Sequence, residues 1–456
     1  VKAAFAAIVV AAACKSMAPT YERPAAPIPT SLPGGEGSAT AAQMPVTTLV
    51  KEPRLREVLA RVVHDNRSLR KAVLDVESAR QLYRLQRAAR YPEIDFTAGA
   101  TYAQEFEGVP GFETARVTEY DVGVGLANWE IDLFGRLKSL SDAKMQTYLS
   151  ALESARAARI TLIGEAANAY ITLAADQSRL QIAQQTMVAA QKAMDLTEQL
   201  VGGGTSNRGD FWQASTVFDQ ARGDVAALTA SIVQDKNALE LLAGGPLDAA
   251  LLPDTLPPAL DWFADVPVGL SSAVLLDRPD VLAAEHDLQS ANANIGAARA
   301  AFFPTITLTA NAGLVSTALA ALFSGPTAVW TLAPNLTLPL FKGGANRANL
   351  AYAQTQKQAL IAAYEYAIQS AFREVADALA TRATINEQLA AQSALVDAAT
   401  KAFELATERY KAGVEPFLTT LVSQRALYAA QNQLVATQQA ALANRIVLYR
   451  VLGGGS

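Results

Sequence analysis

Residues 88–100 read AARYPEIDFTAGA, and residues 300–312 read AAFFPTITLTANA. In both, paired alanines close a helical run, an aromatic follows (Tyr91, Phe303), and then a proline (Pro92, Pro304). Proline has no N–H to continue a helix and drives the preceding residue toward extended geometry, so each stretch encodes a local switch from helix to strand. The strands alternate strictly. Ile94, Phe96, Ala98 and Ala100 share one face, matched by Ile306, Leu308, Ala310 and Ala312. The other face carries Glu93, Asp95, Thr97 and Gly99, matched by Thr305, Thr307, Thr309 and Asn311. A period of two with one apolar and one polar face describes a sheet with different surroundings on its two sides.

A second strand returns in each case, YDVGVGLANWEIDLF at 120–134 and VWTLAPNLTLPLF at 329–341. The spacing predicts strands near 93–103, 120–134, 304–314 and 329–341. No charged residue lies between Arg299 and Lys342, which raises a transmembrane helix as an alternative. Pro304, Gly313, Gly325, Pro326, Pro334 and Pro339 interrupt it, leaving no clean run of the ~20 residues a helical span requires. A hairpin fits.

Helices fill most of the remainder. Ala345–Ala412 contains neither glycine nor proline, and Arg136–Val201 is interrupted only by Gly164. Ordinary helices average about 11–12 residues, so a compact core does not bury these runs. In the later one, Ile368, Val375, Leu389, Val396, Phe403 and Tyr410 fall on one seven-residue grid, with Arg382 the exception, as in a left-handed coiled coil. Shorter helical runs at Arg54–Tyr91, Asp210–Ala243, Pro279–Phe303 and Pro416–Leu452 are expected to flank the long ones, with VGGGTSNRG and KAGVEP as the closing turns.

The chain of 456 residues is 51% hydrophobic and 18% charged, the composition of a folded protein with a large buried surface. A net charge of −5 argues against nucleic acid as a partner. The single cysteine and two histidines (His64, His286) exclude a Cys/His metal cluster and a disulfide framework, and no phosphate-binding or dinucleotide fingerprint is present. No metal site, cofactor or enzymatic activity is expected; adjacent Glu93 and Asp95 suit a water-facing surface better than an acid/base pair.

The opening VKAAFAAIVVAAACKS has a positive Lys2, a short apolar run and small residues before Cys14, the layout of a secretory signal. Residues 1–13 are read as signal peptide and 14–53, rich in Pro, Gly, Ala and Ser, as an extended N-terminal tether. Residues 54–243 and 279–452 form two matching repeats joined by a Pro/Gly-rich linker at 244–278, with a tail at 453–456.

Four strands cannot close a barrel, and an open sheet edge in lipid leaves backbone groups unpaired at several kcal/mol each. If these hairpins enter a membrane, several copies must share one barrel. Trp129 and Trp330, near strand ends, suit anchors at its interface.

The stretches NWEIDLFGRL, RPDVLAAEHDLQSANANIGAARAAFFPTITLTANAG and AFREVADALA resemble the TolC-like outer membrane factors, specifically the OprM-like (NodT-type) lipoproteins of RND multidrug efflux, and the likeness runs from Cys14 to the C-terminus. The resemblance implies a mainly α fold with membrane β: a homotrimer with a 12-stranded outer-membrane β-barrel, continued by a periplasmic α-helical barrel. It implies a passive exit duct for drugs or other small toxic compounds, placed in the Gram-negative outer membrane among its lipids. The partners implied are a periplasmic adaptor and an inner-membrane RND transporter. The alternative is the outlet of a type I protein secretion system. Residues ending at Cys14 resemble a lipobox, with Ala11 in place of the usual leucine, implying a covalent lipid on Cys14.

The resemblance also places a periplasmic gate near RYKAGVEPFLTTLVSQR. Arg409 and Tyr410 match contacts that keep similar channels shut, Leu418 an apolar constriction, and Arg425 a basic residue beside the gate. Val422 departs from the pattern, standing where relatives place an acidic ring; closure there is then by apolar contact, or acidity comes from another residue such as Glu415. Without the resemblance, Leu418 and Tyr410 read as core positions, and Arg409 and Arg425 as solvated charges. The first-half turn, VGGGTSNRG, is about one residue longer and richer in glycine than the family pattern.

Overall fold

The computed structural model describes residues 16–33, 45–107, 113–204, 207–265 and 271–455. The signal segment and Cys14 lie outside the described residues. The order of elements is α1 (Val46–Leu49), α2 (Pro53–Asp65), α3 (Arg67–Ala88), β1 (Asp95–Glu107), β2 (Glu113–Ile131), α4 (Arg136–Gly202), α5 (Arg208–Ala243), α6 (Pro279–Ala300), β3 (Thr305–Ser316), β4 (Ala328–Thr337), α7 (Ala345–Lys411) and α8 (Phe417–Val451). Cα packing divides the chain into one unit of residues 1–25, 75–152 and 283–365 and a second of residues 26–74, 153–282 and 366–456.

The first unit holds the whole sheet, an antiparallel meander in the order β1-β2-β3-β4. Its helix-to-strand switches are built alike. Tyr91 N–H donates to the Ala88 carbonyl (2.9 Å) and Phe303 N–H to that of Ala300 (3.0 Å), so each helix tightens into a final turn before its proline. Register aligns Phe96 with Val124, Val124 with Ala312, and Ala312 with Trp330; one row further, Leu126, Ala310 and Leu332 are aligned. These residues make one apolar face, and Phe96, Trp330, Leu332 and Leu336 are all more than half exposed on it. Asp95, Thr97, Asp121, Asn311 and Thr331 take the other.

Alternation alone would break this pattern in β2, because Leu126 and Trp129 are an odd number of residues apart. A register shift between them inserts one residue, with Asn128 at φ 52°. Asn128 N–H donates to Thr309 Oγ1 at 3.2 Å, and the bulge returns Trp129 and Ile131 to the apolar side, opposite Leu308 and Ile306. Strand β4 ends at Thr337, short of the expected 341, because Pro339 has no N–H for a ladder. Leu340 and Phe341 beyond it are each 89% exposed. Glycine is required at 313, where an added Cβ would lie 2.3 Å from the Val122 carbonyl oxygen.

Residues 16–23 are extended, as the composition suggests, but they are seated along α6. Arg299 donates to the Met17 carbonyl (3.2 Å) and Asn292 to that of Pro19 (2.7 Å). Arg23 makes a two-pronged pair with the buried Glu285 (2.8 and 2.6 Å), which also accepts from Tyr21 (3.1 Å). At Gly296 a Cβ would lie 2.6 Å from Ala18 N, so the strap passes directly over the helix.

The second unit is helical. Arg54–Tyr91, read as one helix, is two, because Asn66 leaves helical geometry at ψ 127°. Its side chain bridges the break, accepting from Leu69 N–H (2.9 Å) and donating to the Leu242 carbonyl (2.8 Å). Of the linker residues, Trp262 and Phe263 are buried, with Trp262 edge-on to Tyr170 at 5.5 Å. Along α7, Ile368 and Val375 are fully buried (0%) and the rest of their grid is at least half-buried. A second row, Ala371, Ala378, Ile385 and Ala406, is buried beside it and completes the heptad pair. Its alanines expose backbone to α8: Asn444 donates to the Ala378 carbonyl (2.9 Å) and Thr420 to that of Ala406 (3.1 Å), fixing an antiparallel hairpin.

Candidate functional site

The α7–α8 turn carries the residues expected at the gate. Gly413, at φ 71°, ends α7: its N–H donates to the Tyr410 carbonyl and that of Val414 to the Arg409 carbonyl, both at 2.9 Å, a Schellman closure. Pro416 precedes the first turn of α8 with extended geometry. The turn therefore brings Arg409 back onto Glu415, Nε to Oε1 3.0 Å, with the two side chains 48% and 27% exposed. Glu415, the candidate source of acidity beside Val422, is thus engaged by a cation of its own turn.

Tyr410 packs on Phe417 at 5.2 Å between ring centroids and joins the cluster of Ala190, Ala214, Val217 and Leu421. Phe417 and Leu421 face this core, so Leu418 and Val422, one residue on from each, face away and are 53% and 58% exposed. Arg425 lies one turn further and donates to Thr216 Oγ1 on α5 at 2.8 Å. Tyr428 donates to Asp224 Oδ2 of α5 at 2.8 Å; burial, then the Asp224 carboxylate, push its hydroxyl up to about 12. The sites expected from sequence therefore separate into three kinds: Arg409 and Arg425 hold polar contacts within the chain, Tyr410 belongs to the core, and Leu418 and Val422 form an unpartnered apolar face.

Beneath the turn lies a cleft of about 580 Å³, bounded by Leu196 and Leu200 of α4, Asn207 and Asp210 at the start of α5, and Tyr410 and Phe417. Asn207 caps α5 by accepting from Asp210 N–H at 3.0 Å. Residues 205 and 206 of the glycine-rich turn are outside the described residues. Sequence reasoning missed Phe417, Thr216 and the Tyr428–Asp224 pair; Phe417 was signalled by its position one turn from Leu421, whereas the other two depend on which helix lies alongside.

His64 Nδ1 lies 2.7 Å from Asp65 on the surface and His286 Nδ1 2.8 Å from Gln146. Among the described residues no group of three or more His, Cys, Asp or Glu is arranged to hold a metal, and no helix is long and apolar enough to cross a membrane.

A sheet with one apolar and one polar face, open at both edges among the described residues and joined to a pair of 67-residue helices, has the make-up of an outer-membrane channel subunit. The chain belongs to the outer membrane efflux protein family, whose model matches residues 58–245 and 270–454. It is 42% identical over 449 residues to the toluene efflux pump outer membrane protein TtgI of Pseudomonas putida, covering 96% of this chain and 95% of that one. A membrane protein of Pseudomonas aeruginosa has a crystal structure that superposes with a TM-score of 0.91 at 38% identity, covering 97% and 98% of the two chains. The open state of the MtrE outer membrane channel of Neisseria gonorrhoeae superposes with a TM-score of 0.84 at 36% identity, again over 97% and 98%. The protein is an outer-membrane efflux channel of a Gram-negative bacterium, and its family is one of channels rather than enzymes.

Proposed function

We propose that three copies of this chain form the exit duct of a tripartite pump. The observation that supports this most directly is the sheet: one apolar face, one polar face, and outer edges on β1 and β4 with no strand beside them among the described residues. Backbone groups at such edges are costly in hydrocarbon, and closure removes them. Three copies supply twelve strands, with the apolar face toward lipid and the polar face toward a water-filled lumen. The two matched halves then repeat around a continuing periplasmic helical barrel.

Conduction in this reading is passive. The chain offers no nucleotide fingerprint, so a partner must supply the energy: an inner-membrane RND transporter acting through a periplasmic adaptor. The relative TtgI is named for toluene efflux, and small apolar or toxic compounds are the substrate class we assign to this chain. A lipid on Cys14 would tie the N-terminus to the membrane, two residues before Ser16, whose hydroxyl lies 2.9 Å from that of Ser139.

The gate is assigned to the α7–α8 turn. Leu418 and Val422 of three copies meet on the axis and exclude water, while Arg409 and Arg425 hold each tip to its own chain through Glu415 and Thr216. Tyr410 sets the angle of the turn through Phe417. Single-channel recording in planar bilayers tests this. Leu418→Ala should raise open probability strongly and Arg409→Ala more weakly; openings unchanged in both variants would reject the assignment.

A further inference from the structure

The chain is acidic overall, at net −5, yet the helix ends that lead into and out of the sheet carry an excess of positive charge. Four junctions connect helix and strand. Residues 80–91, 288–303 and 342–364, on the helical sides of three of them, contain eight Lys or Arg and no Asp or Glu, while Glu93 and Asp95 follow the first at the start of its strand. Arg84, Arg87, Arg90, Lys342 and Arg347 are all exposed, whereas Arg299 is part-buried and holds the Met17 carbonyl. The fourth junction does have acids, but they are engaged locally. Glu130 pairs with Arg136 at 2.5 Å, Asp132 accepts from the Lys138 N–H at 2.7 Å, and Asp142 lies 3.7 Å from Lys138 Nζ.

These cations lie next to the apolar face. Trp129, on that face opposite Leu308, donates its indole N–H to the Arg90 carbonyl at 3.3 Å. On the other hairpin, Lys342 directly follows Leu340 and Phe341, the most exposed large apolar side chains among the described residues at 89% each. An aromatic belt with long cations just beyond it is the arrangement of a membrane interface, where apolar stems lie along the hydrocarbon boundary and charged ends reach the headgroups.

The geometry points to a cationic collar on the helical side of the sheet that binds the phosphate groups of anionic phospholipids, through Arg87, Arg90, Lys342 and Arg347. The inference rests on the sheet lying in the membrane, as proposed above. Each surface cation beside an anionic bilayer contributes on the order of a fivefold preference. The collar would fix the depth of the sheet and select phosphatidylglycerol-type lipids from a mixed leaflet.

The full-length protein, reconstituted into phosphatidylcholine vesicles containing brominated phosphatidylglycerol or brominated phosphatidylcholine as the minor lipid, tests this through quenching of Trp129 and Trp330. The expected result is a preference for the brominated anionic lipid of at least about fivefold, falling to about twofold or less in the variant R87Q/R90Q/K342Q/R347Q. The unaltered protein should lose the same preference in 0.5 M salt, roughly, where the Debye length falls to a few Å. Quenching by both lipids without preference would overturn the collar while leaving the sheet in the bilayer. A preference that persists in the variant, or ion selectivity that changes with no lipid preference, would also overturn it. Absence of quenching by either lipid would overturn both the collar and the membrane placement of the sheet.

Discussion

The sheet and the α7–α8 hairpin dispose of their apolar side chains in opposite ways. In the hairpin, Ile368, Val375, Leu442 and Ile446 are 0–1% exposed, and the seam between α7 and α8 is closed by residues of the same chain, with Leu418 and Val422 left uncovered near the turn. In the sheet, Phe96 is 70% and Trp330 78% exposed, and two strand edges have no neighbour among the described residues. Both are regular, strongly patterned segments. The difference is that the inner seam of the hairpin is complete within one chain, whereas the sheet, in the proposed reading, requires a nonaqueous solvent on one face and further strands at its edges.

Substitutions that act differently in the two regions sharpen this contrast. Gly313→Val has the largest expected effect, because its Cβ would lie 2.3 Å from the Val122 carbonyl. Pairing of β2 with β3 should fail, and heat-modifiable assembly on semi-native gels should be lost. Ile368→Ala removes a fully buried side chain from the hairpin and should cost about 2–5 kcal/mol in urea unfolding. Trp330→Lys places a charge on the apolar face and should cost about 2–4 kcal/mol in a bilayer if the residue lies at depth. Leu395→Lys, on an exposed face of α7, should be close to neutral in the same refolding assay, within about 0.5 kcal/mol.

Smaller effects extend the comparison. Gly223 in α5 has nothing within 4 Å of an added Cβ. Gly223→Ala should therefore stabilise by about 0.5–1 kcal/mol, the reverse of the sheet glycine. The raised Tyr428 hydroxyl gives a pH signature. Because the folded state holds the proton more tightly, its contribution is complete below the ordinary pKa of 10 and fades as pH rises toward about 12. Tyr428→Phe should remove that part of the alkaline slope in thermal melts.

Much of this was legible in the sequence wherever the cause is local. Pro92 and Pro304 mark the helix ends, and alternation through Phe96 and Leu308 assigns strand faces. Three features escaped for physical reasons. The bulge at Asn128 offsets the alternation by one residue, so a strict period places Trp129 on the wrong face. The second heptad row is mostly alanine, which is apolar but too common here to mark a seam. The strap at residues 16–23 reads as a tether by composition. It is held through backbone carbonyls and through the Arg23–Glu285 pair, whose partners are 262 residues apart, a separation no local pattern encodes. At the proposed gate, the sequence nominated residues through family likeness, but only the folded turn pairs Arg409 with Glu415 and leaves Leu418 and Val422 uncovered.

The central claim is that the sheet is completed by other copies of the same chain. Native mass spectrometry of the full-length protein released from detergent micelles, on the preparation that conducts in bilayers, measures this directly. The account predicts a species of three chain masses. A conducting preparation whose mass is that of a single chain would contradict it.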